Sequence, residues 1–82
     1  MLVEDKHSIS VLAEQILFPR LRAFDEDDNL SVQDKAEGKK KAIEVFVKEY
    51  AQRSTLLSEE EVRKLVNDVI ARTYRNINGE DR

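Results

Sequence analysis

Apolar residues recur along this chain at the three- and four-residue steps of an α-helix in three separate stretches. In the first, about 8–24, Ile9, Leu12, Ala13, Ile16, Leu17, Leu21 and Phe24 form a broad stripe that must be buried. Ser8 or Ser10 is placed to cap its start by accepting a bond from an unpaired amide. Pro19 interrupts the pattern. Its ring removes one backbone N–H and presses on the carbonyl of Gln15, and Phe18 before it is pushed away from helical angles. The expectation is a helix kinked or broken near Pro19, with Arg20 to Phe24 forming a further packed turn. The acidic run Asp25-Glu26-Asp27-Asp28 then ends the stretch, because negative charge opposes the dipole at a helix C-terminus.

The second stretch, about 32–53, carries Ala36, Ile43, Phe46, Val47, Tyr50 and Ala51 on one stripe. Ser31 and Asp34 have the spacing of a capping box. Its first turns are polar and contain Gly38, so packing is expected in the C-terminal half and fraying at the start. Glu37/Lys41, Lys40/Glu44 and Glu44/Lys48 stand four apart and offset part of that weakness. The third stretch, about 59–77, has the clearest start. Ser58 is placed as N-cap with Glu61 three residues on, and Leu57 and Val62 flank them as a hydrophobic staple. Val62, Leu65, Val66, Val69, Ile70 and Thr73 continue the stripe, Tyr74 and Ile77 extend it, and Asn78-Gly79 supplies a stop.

Connections of about six and four residues make sequential helices antiparallel neighbours. Three stripes facing inward hide each other, so the expected fold is all-α, a small three-helix bundle forming a single domain over 1–82. Composition agrees with it. The 82 residues are 40% hydrophobic and 38% charged, with 2 Gly, 1 Pro and no Cys, too few turn formers for a loop-rich β-sandwich and no thiols for disulfides or zinc. No apolar run reaches the roughly 18 residues of a membrane span, and the acidic start does not read as a secretory signal, which points to a cytoplasmic protein. The termini, Met1–Lys6 and Glu80–Arg82, are expected to be mobile.

Net charge is −3, which speaks against a general nucleic-acid binder. The chemistry of catalysis is sparse. His7 is the only histidine and lies near a terminus with Glu4 and Asp5 as its nearest candidate partners, so neither a general base nor an activated Ser8 or Ser10 is expected. Asp25, Asp27 and Asn29 alternate as calcium ligands do, but the sixth and twelfth positions of such a loop are Leu30 and Ala36 where Gly and Glu are required. Gly38-Lys39-Lys40-Lys41 lacks the second glycine and the strand of a phosphate loop. No cofactor, no metal and no enzymatic activity are expected of this chain.

Three segments carry a family resemblance: AEQILFPRLRAF, the charged helix KKKAIEVFVKEYAQR, and LLSEEEVRKLVNDVI with Leu65, Val66, Val69 and Ile70 on its stripe. Together they resemble the small helical segment near the N-terminus of the secretion ATPases that power Tad-type pilus assembly, within the type II/IV secretion ATPase superfamily. That family continues into a Gly-Pro-Leu-Glu-Pro-Leu-like segment where this chain reads Thr73-Tyr74-Arg75-Asn76-Ile77-Asn78-Gly79. The resemblance implies an accessory domain of a larger bacterial protein, with the nucleotide-binding motifs elsewhere in the parent chain and a role in docking or assembly.

The functional expectation is therefore a non-catalytic helical module for protein–protein interaction or assembly. Its candidate partner-binding residues are Leu17, Phe18 and Leu21, apolar side chains near Pro19 that would need a partner if exposed. Two alternatives stand beside it: a small nucleic-acid-binding regulator using Lys39–Lys41, and a homo-oligomeric helical bundle. Glu59, Glu60 and Glu61 weigh against the first, because they would repel phosphate from the start of the third helix.

Overall fold

The structure, a computed structural model, describes residues 6–78. Its elements are α1 (Lys6–Leu12), a π turn (Ala13–Leu17), α2 (Phe18–Asp25), α3 (Val32–Arg53) and α4 (Glu59–Asn78), with no strand among the described residues. Leu12, Leu17 and Phe18 all keep right-handed helical dihedrals, so α1, the π turn and α2 follow one another as a single first helix. The chain is an all-α bundle of three helices.

The irregularity expected near Pro19 is present as a π turn rather than a full break. In a π turn each N–H reaches back five residues rather than four, and the Phe18 N–H donates to the Ala13 carbonyl. Phe18, expected to leave helical angles, stays at φ −58° and ψ −44°. The reason lies in the core. Ile9, Ala13, Leu17 and Leu21 are spaced by four and are each at most 1% exposed. Steps of four drift by about 40° apiece around a 3.6-residue helix. The wider π turn takes up part of that drift and returns Leu17 and Leu21 to the side of Ile9 and Ala13. Neither Ser8 nor Ser10 caps this helix, which is already formed at Lys6; the Ser10 hydroxyl instead donates to the Lys6 carbonyl at 2.8 Å.

The start of α3 is helical from Val32, with the Ser31 hydroxyl accepting from the Asp34 N–H at 3.0 Å. Its N-terminal half has no fully buried side chain, and its polar pattern suggested fraying. Lys35 and Lys39 tie it to Asp25 instead, and Gly38 leaves room for the Phe24 ring, with which a Cβ would collide. The apolar anchors Phe46, Val47 and Tyr50 lie in the C-terminal half, as expected. Ser54 closes α3 and opens the next turn: its N–H donates to the Tyr50 and Ala51 carbonyls, while its hydroxyl accepts from Leu56 and Leu57.

α4 opens on the capping box. The Ser58 N–H donates to Glu61 Oε1 at 2.9 Å, and the Glu61 N–H donates to Ser58 Oγ at 3.2 Å. The Ser58 backbone bond, followed by the hydroxyl bond, holds the Glu61 carboxyl below its ordinary value. Val62, Val66, Val69 and Ile70 are buried, Leu65 and Tyr74 half-buried, and the stripe stops there because Ile77 is exposed. Gly79 and both expected mobile termini, Lys6 apart, lie outside the described residues.

Three polar contacts set the direction of the helices. Lys39 and Tyr74 meet at Asp25, while Glu44, further along α3, meets Arg63 near the start of α4. α3 and α4 are therefore antiparallel. Lys6 shares a hollow with Glu61 and Leu65, and Phe18 touches Tyr74, so α4 runs in the sense of the first helix. The order is up, down, up around one core.

Candidate functional site

The residues that the sequence offered for partner binding are not on the surface. Leu17 is 1% exposed, Phe18 7% and Leu21 1%, and all three belong to the central cluster. This corrects the expectation. With the π turn directly before Pro19, both Leu17 and Phe18 lie on the core side of the first helix. Phe18 meets the Tyr74 ring edge-on at 4.9 Å between centroids.

The most concentrated polar chemistry lies where all three helices converge. Tyr74 Oη donates to Asp25 Oδ2 at 2.5 Å, Lys39 Nζ donates to Oδ1 at 2.7 Å, and Lys35 Nζ donates to the Asp25 carbonyl at 3.0 Å. Arg22 stands 3.9 Å from the same carboxylate, and Lys39 also lies 5.5 Å from the Tyr74 ring centre. Partial burial alone would raise the Asp25 carboxyl. The bonds from Lys39 and Tyr74, with the charges of Lys39 and Arg22, outweigh burial and hold it below 3.8. The Tyr74 hydroxyl is pushed up, first by burial and then by the carboxylate it faces.

This arrangement has no open reacting position. Each carboxylate oxygen already accepts a short bond, and Tyr74 is harder to deprotonate than a free tyrosine, the reverse of what a general base or nucleophile requires. It is a strut joining the end of α2 to α3 and α4. Asp25 thus faces inward, and Asp27 Oδ1 accepts from the Asn29 N–H at 2.9 Å. The alternating acids that resembled calcium ligands are spent on a turn and a strut.

A second strut joins α3 to α4. Arg63 grips Glu44 with two bonds, Nε to Oε2 at 2.9 Å and Nη2 to Oε1 at 2.8 Å, and bonds Glu59 at 2.8 Å. The Arg63 bond is the main cause that keeps Glu44 below its ordinary value, against desolvation and helped by the charges of Arg63, Lys48 and Lys40. His7 lies on a hollow of about 230 Å³ between α1 and α4 with Ser10, Glu14, Arg72 and Thr73. The Ser10 and Thr73 hydroxyls there donate to the Lys6 and Val69 carbonyls one turn back, so both protons are committed to the helices.

Among the surfaces left open is the outward face of α3. Glu37, Lys40, Lys41, Glu44, Val45 and Lys48 border a shallow open depression of about 510 Å³. Val45 is 63% exposed at its centre. Lys39, one of the three consecutive lysines, turns inward to Asp25, whereas Lys40, Lys41 and Lys48 make no ion pair among the described residues. Periodicity placed Val45 off the buried stripe, but only the contacts show which neighbouring charges are already taken. The chain matches no protein-family model, no curated protein and no solved structure.

Proposed function

We propose that this chain is a non-catalytic helical module for protein–protein interaction or assembly. The observation that carries the proposal is the outward face of α3, where an exposed Val45 sits among Lys40, Lys41 and Lys48, none of them in a direct ion pair among the described residues. A lone exposed valine is ordinary on a protein surface. Here it sits amid lysine stems and tips, whereas several polar groups elsewhere are closed on one another: Asp25 on Tyr74 and Lys39, Glu44 and Glu59 on Arg63, Glu49 on Arg53. Groups so paired stabilise the fold and offer nothing to a substrate.

At a finer level, the resemblance of the three helices supports an accessory role in the N-terminal part of a bacterial secretion or pilus-assembly ATPase, on the cytoplasmic side. The sequence of the gene around this chain checks that finer reading: an in-frame Walker motif downstream is expected, and a gene encoding these residues alone contradicts it. The coarser reading has its own test. Native sizing of the endogenous protein should place it in an assembly with a second protein, and a lone monomer at its cellular concentration would contradict the module.

A further inference from the structure

We infer that the outward face of α3 docks an acidic amphipathic helix of a partner protein. This rests on the interaction-module reading and names the chemistry of the partner. The first support is the charge left over after internal pairing. Glu44 is gripped by Arg63, which it shares with Glu59, and Glu49 is paired with Arg53 at 2.8 Å. Around the depression Lys40, Lys41 and Lys48 outnumber Glu37 and Glu44, a net positive face on a chain whose net charge is −3. Such a face selects carboxylates and repels further cations.

The second support is the floor. Val45 and the aliphatic stems of the lysines form an apolar centre with charged tips around it, and long cationic side chains cover apolar surface in this manner. A partner must therefore bring apolar side chains flanked by acids. The third support is spacing. Glu37, Lys41, Val45 and Lys48 follow one another at steps of four, four and three, a ridge of about 16 Å on a helix rising 1.5 Å per residue. A partner helix of three to four turns presents side chains at matching intervals along that length. Polyphosphate fits less well, because it cannot use the apolar centre and meets Glu37 and Glu49 at the edges.

The test is an NMR titration of the ¹⁵N-labelled chain with three probes: a 16-residue synthetic helix of repeated Glu-Leu-Leu-Glu units, its Lys-Leu-Leu-Lys counterpart, and a 16-nucleotide single-stranded DNA. The acidic helix should shift the amides of Lys40, Lys41, Val45 and Lys48, and its binding should weaken as salt rises. Lys41→Gln with Lys48→Gln should weaken it roughly tenfold, the combined effect expected for two rim ion pairs and their steering. Val45→Ser should weaken it too, with helicity unchanged in both variants. Tighter binding of DNA would make the face a phosphate surface, and equal binding of the basic helix would make it merely greasy; either overturns the inference. So do shifts that map to another face. If the acidic helix fails while native sizing still shows an assembly, this inference falls and the module reading stands.

Discussion

Asp25 illustrates how one residue holds distant parts of a small bundle together. Its partners Lys39 and Tyr74 lie 14 and 49 residues away along the chain. The folded carboxyl sits below 3.8, so its added stability is complete above that pH and is lost as pH falls through the folded value. Tyr74 works in the other direction. Its hydroxyl is raised above 10.0, so its contribution is complete below pH 10 and is lost as pH climbs beyond it. Asp25→Asn should destabilise the fold by about 2 kcal/mol at pH 7, the size of a charged hydrogen-bond pair. In thermal melts that is roughly 10 °C for a chain of this size. The gap between variant and parent should close as pH drops below 4, and a gap that stays constant would mean the carboxylate charge contributes nothing. Tyr74→Phe should keep the ring contact with Phe18 and flatten the alkaline loss of stability, read by the same melts above pH 10.

At the scale of elements, the helices were legible wherever the signals were local. Ser58, Glu61 and the apolar run behind them specify the start of α4 within one turn, and the structure makes both bonds of that box. The π turn was harder to see. Its signature is present, since Ile9, Ala13, Leu17 and Leu21 keep steps of four where a regular helix would mix threes and fours. The expected irregularity near Pro19 falls on this turn, and the stripe already held Leu17 and Leu21; the sequence did not show that Phe18 is buried with them. A direct prediction follows from the spacing. Deleting Gln15 turns the steps into four, three, four, so this deletion combined with Pro19→Ala should give a regular helix with the same core. Its stability should stay within about 1 kcal/mol of the parent, since removing the proline offsets the lost π geometry. Unfolding of that variant, or a π turn that persists in its NMR contacts, would show that the spacing does not dictate the turn.

For the molecule as a whole, the three helices and their order were readable from periodicity, and the surface was not. Which charges are free depends on pairs such as Glu44 with Arg63 and Lys39 with Asp25, set by how the helices are packed rather than by neighbours in sequence. Lys39, Lys40 and Lys41 look equivalent along the chain, yet the first is part of a strut and the other two face outward. The account therefore separates the paired struts between helices from the open face of α3. The most direct measurement is in-cell photo-crosslinking from a reactive side chain at Val45, compared with one at the exposed Ala23 on α2, with the captured sequence read by mass spectrometry. Capture from Val45 of a segment carrying acids beside apolar residues, with none from Ala23, is the predicted result. Capture from Ala23 while Val45 yields nothing would place the working surface on the first helix and contradict the account.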